Sequence, residues 1–241
     1  MLTLSDRRVL TAAREVTSRL GPGDGHTVGS AAIDISGRIH TGVNVHHFTG
    51  GPCAELVVLG QAAAVSSDRL MTITAVGDDG RDVIAPCGRC RQVMLDLHPD
   101  LEVLVPPTDA TAGEAATPVS IRDLLPHGYR HPDADSPRVL RFAGQYYDDV
   151  ADGRKTVTIR LGDPQRIGPV TMVFEQAEAA GFQVLSGVVE TIGQRRFGEL
   201  TADDVRRENA SSLEALRTGL RTHYPHIVDD DVVDVVDFRL A

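Results

Sequence analysis

The chain has 241 residues, three cysteines and a formal net charge of −10. The length allows one large domain or two small ones, and the acidic balance argues against broad, sequence-blind binding to nucleic acid or acidic membranes. No apolar run reaches the length of a membrane span, the N-terminus lacks a signal-peptide h-region, and an odd cysteine count gives no disulfide framework, so the expectation is a cytoplasmic chain.

In chain order, apolar residues at helical spacing (Val9, Leu10, Ala13, Val16, Leu20) predict a helix over about 4–20, with Ser5 as its N-cap and the loop 21–25 as its end. Val28 to Asp34 and Arg38 to Val45 read as a hairpin around Ser36-Gly37. From Cys53 to about Ser66 the chain is apolar nearly all round, which predicts a helix buried on most sides. A strand over Thr72–Val76, a short extended piece over Val83–Ala85, a helix over Cys87–Leu97 and a strand over Leu101–Val105 follow. Pro118 and Val119 look extended, and Ser120 is placed to cap a short helix to Leu125. Alternating strands and helices predict a layered α/β domain.

All three cysteines lie in two short stretches, Gly51-Pro52-Cys53-Ala54-Glu55 and Pro86-Cys87-Gly88-Arg89-Cys90. Each opens a predicted helix, where the partial positive charge of the N-terminus favours thiolate. Cys87 and Cys90 are three apart, close to one turn, so both sulfurs can reach one ion. Three protein ligands leave a fourth position for water, the form of an open zinc site. A ligand followed by x-Glu, and later Pro-Cys-x-x-Cys, is the signature of the zinc nucleobase deaminases, with Glu55 as the proton shuttle. Arg89 and Arg91 stand where they can offset the charge of three thiolates by hydrogen bonds to sulfur. The competing reading is a closed structural zinc site with His46, His47 or His98 as fourth ligand.

Residues 38–65, residues 85–99 with their Pro86-Cys87-Gly88-Arg89-Cys90-Arg91-Gln92, and Ile121 to Tyr129 resemble the cytidine deaminase superfamily, most of all its blasticidin-S deaminase branch. The resemblance covers roughly the first 130 residues. It implies a three-layer fold with a central mixed sheet, and a homo-oligomer (tetramer or dimer) with active sites near subunit interfaces. It also implies hydrolytic deamination at carbon 4 of a cytosine ring. It maps zinc onto Cys53, Cys87 and Cys90, the proton shuttle onto Glu55, and substrate contacts onto Thr27, Asn44, Arg81 and Tyr129. Ordinary cytidine deaminases carry Asn-Val-Glu-Asn, and this chain has His46 where that Glu stands, so its grip on a plain ribose differs. Where the blasticidin branch has a tyrosine and, near its end, a tryptophan, this chain has His46 and His131. An exposed loop histidine is the competing reading of His46.

Residues 131–137 are polar and hold two prolines, a linker. Val139 to Phe142 opens a new pattern, a helix over Tyr146–Asp152 stops at Gly153, and Arg154 to Arg160 reads as a strand with Lys155, Val157 and Ile159 on one face. Val170–Glu175 and Phe182–Thr191 are further strands. A helix from Thr201 runs through Glu208-Asn209, another spans Ser211–Tyr224, and Val232–Leu240 closes as a strand; together these predict a small barrel. Lys155 is the single lysine of an arginine-using chain. A buried amine can deprotonate and act in catalysis, whereas a guanidinium cannot; a solvated strand charge is the equal alternative on composition alone.

Ala151 to Arg160, Arg207-Glu208-Asn209 and Ile227 to Leu240 resemble an ASCH domain of PUA-like barrel fold, and in particular the small ASCH enzymes that hydrolyse N(4)-acetylcytidine. That resemblance implies Lys155, Thr158 and Glu208 as the working residues, with Arg160 and Asn209 orienting substrate. The expected architecture is therefore a cytidine-deaminase-like three-layer α/β domain at 1–131, followed by an ASCH domain at 138–241. The expected activity is zinc-dependent deamination of a cytosine nucleoside or analogue, with acyl removal from N(4)-acylcytidine by the second domain. Two alternatives stand beside it: an RNA-binding ASCH module using Arg154, Lys155, Arg160 and Arg166, or blasticidin-S detoxification alone.

Overall fold

A computed structural model describes residues 2–21, 25–66, 68–107, 115–129, 138–176 and 181–241; the expected linker at 131–137, and His131 with it, lie outside them. The chain divides into two compact units, Met1–Asp135 with Ala177–Phe182, and Ser136–Gln176 with Gln183–Ala241.

The first unit begins with α1 (Leu4–Thr17), which Thr3 caps: its side chain accepts from the Asp6 N–H and the Asp6 carboxylate accepts from the Thr3 N–H. Ser5, the expected N-cap, instead lies buried inside the first turn. Strands β1 (Val28–Asp34) and β2 (Ile39–Val43) form the predicted hairpin. Then come α2 (Ala54–Val65), β3 (Leu70–Gly77), β4 (Asp82–Ile84), α3 (Gly88–Leu97), β5 (Glu102–Val105), β6 (Thr117–Ser120) and α4 (Ile121–Leu124), the last capped by the Ser120 side chain as expected.

The sheet order is β2-β1-β3-β5-β6, with β4 continuing the β3 edge beyond β5. β3 and β5 run parallel, joined through α3, and every residue of β3 is buried, as a strand covered on both faces must be. α1 packs Val9, Leu10 and Ala13 on one face of the sheet. α2 and α3 cover the other, where Val58, Leu59, Met94 and Leu95 meet Ile73 and Val103. This is the expected three-layer arrangement. α2 departs from expectation in one respect. It is apolar all round, yet it buries only the stripe Ala54, Glu55, Val58, Leu59 and Ala62; Gly60, Ala63, Ala64 and Val65 are exposed.

The second unit contains β7 (Arg138–Ala143), α5 (Tyr147–Ala151), β8 (Val157–Arg160), β9 (Gly168–Glu175), β10 (Phe182–Arg196), α6 (Ala202–Arg207), α7 (Leu213–His223) and β11 (Val232–Leu240). Its five strands follow the order β7-β9-β10-β11-β8. The two end strands are drawn together, because the Arg160 guanidinium of β8 donates to the Arg141 carbonyl of β7 and lies 5.2 Å over the Phe142 ring. The sheet thus curls toward the expected barrel. Inside the curl, Phe142 stacks on Phe174 at 5.0 Å and meets Phe238 edge-on. Outside it, α7 packs Leu216 and Leu220 against Val157, Ile159, Val233 and Val235.

Two readings of this half need correction. Lys155 precedes the strand instead of sharing the Val157 and Ile159 face: its N–H donates to the Asp149 carbonyl after the left-handed turn at Gly153 (φ +71°), which swings the side chain away. The helix from Thr201 stops at Arg207 and does not pass through Glu208-Asn209, because Asn209 is left-handed (φ +59°).

Candidate functional site

Each cysteine stretch folds so that its first cysteine is the residue that starts a helix. Cys53 is the N-cap of α2 and Cys87 the N-cap of α3, with Cys90 in the first turn behind it. The loop before Cys53 is held by the Val45 N–H, which donates to the Pro52 carbonyl at 3.0 Å. That approach requires glycine next door: a Cβ on Gly51 would stand 1.9 Å from the Val45 carbonyl oxygen.

The Cys53 and Cys87 sulfurs are 3.8 Å apart and those of Cys87 and Cys90 3.6 Å. Zinc–sulfur bonds of about 2.3 Å in a tetrahedron place their sulfurs about 3.8 Å apart, so the three thiols fit one zinc ion. Among the described residues no histidine or carboxylate joins the group. His47 Nδ1 lies 2.6 Å from Thr49 Oγ1, and His98 sits at the opposite end of α3, where burial lowers its pKa to about 4 with help from Arg69. The closed structural reading therefore lacks its fourth ligand.

Burial pushes the Cys53 and Cys90 thiols up, and the Glu55 charge adds to both shifts. Burial acts on Cys87 too, but the backbone N–H groups of Cys90 and Arg89 favour its anion, and its pKa is lowered. Glu55, in the first turn of α2, is only 6% exposed; burial raises its carboxyl, and contact with Cys90 opposes that. The expectation for Arg91 needs correction. Its Nε donates to the Pro86 carbonyl at 2.8 Å and its Nη1 to the Leu124 carbonyl at 2.9 Å, so its donors go to backbone oxygens and not to sulfur.

Three of the expected substrate contacts form one hydrogen-bonded group at the start of β1. Asn44 Oδ1 accepts from the Thr27 N–H at 2.8 Å and the Val28 N–H at 2.9 Å. Arg81 Nη2 donates to the Thr27 carbonyl at 2.7 Å and pairs with Asp78. Tyr129 stands apart from them, 67% exposed, with its carbonyl accepting from Gln92 Nε2 at 2.8 Å.

In the second unit, Lys155 is 2% exposed and forms an ion pair with Glu208. The other Glu208 oxygen accepts from the Ile159 N–H at 3.0 Å, closing the free edge of β8. Burial draws the Lys155 amine down to about 7, with Arg160 adding to the shift and Asp149 opposing it; the Glu208 carboxylate also favours the ammonium. The amine lies 5.0 Å from the centre of the Tyr146 ring. Thr158 pairs with Val236, so its side chain shares the inner face of the curl with Arg160. Asn209 closes α6: its N–H donates to the Arg206 carbonyl and the Ala210 N–H to the Val205 carbonyl, a Schellman cap.

Tyr146, Gln92 and the anchoring role of Arg91 escaped the sequence reading. Only Arg91 and Gln92 carried a signal, their position directly after Cys90; Tyr146 reaches Lys155 by tertiary folding alone.

The family described as "Cytidine and deoxycytidylate deaminase zinc-binding region" matches residues 4–105. A cytidine deaminase from Mycobacterium tuberculosis is 34% identical over 113 residues, 46% of this chain and 78% of the relative. A blasticidin-S deaminase from Bacillus cereus is 29% identical over 113 residues, 43% of this chain and 81% of the relative. Similar solved structures include an ASCH domain from Lactobacillus crispatus over the C-terminal part, at 12% identity and TM-score 0.33, covering 44% of this chain and 79% of that one. With a third of its aligned positions shared with a relative it spans over most of that relative's length, and with three sulfurs set to hold one metal ion, the chain belongs to the cytidine deaminase family.

Proposed function

We propose that the first unit, a domain over about 1–131, hydrolyses the C4 amine of a cytosine nucleoside or of a cytosine-bearing nucleoside antibiotic. The observation that carries this reading is the sulfur trio at metal spacing, beside a buried Glu55 and with no fourth protein ligand among the described residues. Water adds its oxygen to C4, the C4–N bond breaks, and the products are a C4 carbonyl and ammonia. Cys53, Cys87 and Cys90 would hold a zinc ion, which would supply the Lewis acidity that lowers the pKa of water. Glu55 takes the proton from the attacking water and passes it to the ring nitrogen, then takes the proton of the new C4 hydroxyl and delivers it to the departing amine as the carbonyl forms. Thr27, Arg81 and Tyr129 contact substrate. The Asn44 amide already holds the Thr27 and Val28 N–H groups, so Asn44 acts by fixing Thr27.

The second unit, a domain over about 138–241, removes an acyl group from N(4)-acylcytidine. Thr158 attacks the acyl carbon, the ring amine leaves, and water then hydrolyses the ester. Lys155, whose amine loses its proton near neutrality, activates Thr158; Glu208 exchanges protons with Lys155; Arg160 and Asn209 orient substrate. The two domains then act in turn on one exocyclic nitrogen. The RNA-binding alternative is weaker, because its basic cluster is engaged internally: Arg154 with Asp149 and Asp152, Lys155 with Glu208, and Arg160 with the Arg141 carbonyl and Asp163.

The exposed apolar side of α2, together with Phe48 at 92% exposure, supports a homo-oligomer, tetramer or dimer. No described helix is long and apolar enough to cross a membrane, and a cytoplasmic location is part of the proposal.

The test is mass-resolved product analysis of the zinc-loaded protein on cytidine, deoxycytidine, cytosine, blasticidin S and N(4)-acetylcytidine, beside Glu55→Ala and Lys155→Ala. Acetylcytidine is expected to pass through cytidine to uridine, with Lys155 needed for the first step and Glu55 for the second. Reaction of blasticidin S alone, indifferent to Lys155, confines the activity to detoxification by the first unit.

A further inference from the structure

Cys87 is the most exposed of the three metal-binding cysteines. A ligand in that position needs its backbone held from outside, because a thiolate that can swing loses the spacing that defines the site. The Arg91 N–H donates to the Cys87 carbonyl at 3.0 Å, the ordinary first bond of α3. Its side chain does something the helix does not require. It folds back toward the helix start, where Nε meets the carbonyl of Pro86, the residue just before Cys87, and Nη1 reaches across to the carbonyl of Leu124 at the end of α4. Two backbone oxygens from separate segments are thus joined by one planar guanidinium. The next residue, Gln92, ties the same 124–129 segment at its far end: its amide donates to the Tyr129 carbonyl at 2.8 Å and to the Asp96 carboxylate at 3.0 Å, away from the Pro86–Cys87 turn.

We propose that Arg91 is a positioning residue for the metal centre: its guanidinium clamps the Pro86–Cys87 turn against α4 and so fixes the Cys87 sulfur at metal-binding distance from Cys53 and Cys90. The inference rests on the zinc-deaminase reading of the first unit, and assigns to Arg91 a mechanical role in place of charge compensation at sulfur. A lysine at 91 keeps the charge but gathers its donors on one compact ammonium at the end of a flexible stem, without the rigid planar fork that spans the two carbonyls, so it holds them less firmly than the guanidinium does.

The experiment compares wild type, Arg91→Ala, Arg91→Lys and Gln92→Ala, each purified with zinc and mixed with excess chromogenic chelator to follow zinc release, with circular dichroism as the check on folding and cytidine deamination measured alongside. Arg91→Ala is expected to release zinc roughly 10- to 100-fold faster, the usual consequence of losing a group that orients a metal ligand. Arg91→Lys falls between it and wild type, and Gln92→Ala releases zinc like wild type because the Pro86 contact survives. Zinc release from Arg91→Ala at the wild-type rate overturns the proposal. So does equal loss from Gln92→Ala, which marks general loosening of α3 against α4. If wild type holds zinc but deaminates nothing, the functional reading fails while the release rates still decide the role of Arg91; a wild type that holds no zinc overturns both.

Discussion

Cys53, Cys87 and Cys90 bring three groups together whose useful form is anionic, all within 4.8 Å of one another. Lys155 and Glu208 are the reverse, a cation and an anion already joined and buried. The first cluster is incomplete until a metal arrives, so its geometry is set by backbone features outside it: two helix starts, the tight Gly51 approach and the Arg91 anchor. The second is complete at rest, and its carboxylate doubles as the edge closure of β8. The contrast teaches that the same burial has different consequences. Around the sulfurs it shifts the thiols and leaves the fold to the helices and sheet, whereas around Lys155 the buried pair is itself part of the fold, tied to the β8 edge through Glu208.

The sharpest break between the two is Glu55→Gln. The side chain keeps its size in a buried site and loses only the ability to carry a proton. Deamination is expected to fall about 10²–10⁴-fold, the usual contribution of a general acid–base, while zinc content and thermal stability stay near wild type. Ammonia release together with metal analysis measures both; an undiminished rate removes Glu55 from the mechanism.

Glu208→Ala is expected to act on stability instead, and with a pH signature. The folded Lys155 amine, drawn down to about 7, lies below its ordinary range. Between those two values the unfolded chain holds a proton that the folded chain lacks, so folding stability falls as pH drops through that window. Removing the carboxylate lowers the folded amine further and extends the window below 7. At pH 9 the amine is neutral with or without Glu208, and only the orphaned Ile159 N–H remains as a cost, about 1–3 kcal/mol. At pH 6 the unpaired buried amine adds to it, bringing the total toward about 3–5 kcal/mol. Urea titrations at both pH values read the difference. A destabilisation that is equal at pH 6 and pH 9 shows that the ion pair carries none of it.

How much of this was legible in the sequence follows the same division. The metal ligands were readable because Cys53, Cys87 and Cys90 are local events at helix starts, fixed by spacing within ten residues of their own element. The three-layer order was readable because β3 and α2 are almost wholly apolar, and strands alternate with helices. The N-cap of α1 is ambiguous in the sequence: Thr3-Leu4-Ser5-Asp6 is a capping box, but Ser5 offers the same hydroxyl two residues on, and only the Asp6 carboxylate three residues after Thr3 favours Thr3. The Lys155 environment was not readable. Alternation extends a strand backward through Lys155, whereas the turn that closes α5 at Gly153 runs on to the bond from the Lys155 N–H to the Asp149 carbonyl and takes the residue out of that pattern; Gly153 marks the helix stop but not how far the turn reaches. The same holds for α2, whose even apolarity gives no sign of which side the sheet covers.

Asn209 gives the smallest effect and the finest distinction, because one residue is asked to serve either the fold or a ligand. Its φ of +59° is a conformation that costs an ordinary side chain about 1–2 kcal/mol and glycine almost nothing. Asparagine tolerates it, which explains the Schellman cap without any substrate. Asn209→Gly is therefore expected to leave stability within a few tenths of a kcal/mol of wild type, and Asn209→Ala to cost about 1 kcal/mol. Acylcytidine hydrolysis separates the roles. If the amide orients substrate, Asn209→Gly raises KM while melting like wild type, and Asn209→Ala shows both losses. If the residue is only a cap, Asn209→Gly is silent in both assays, and the carboxylate of Glu208 one residue earlier, held by Lys155 and the Ile159 N–H, is left as the functional end of α6.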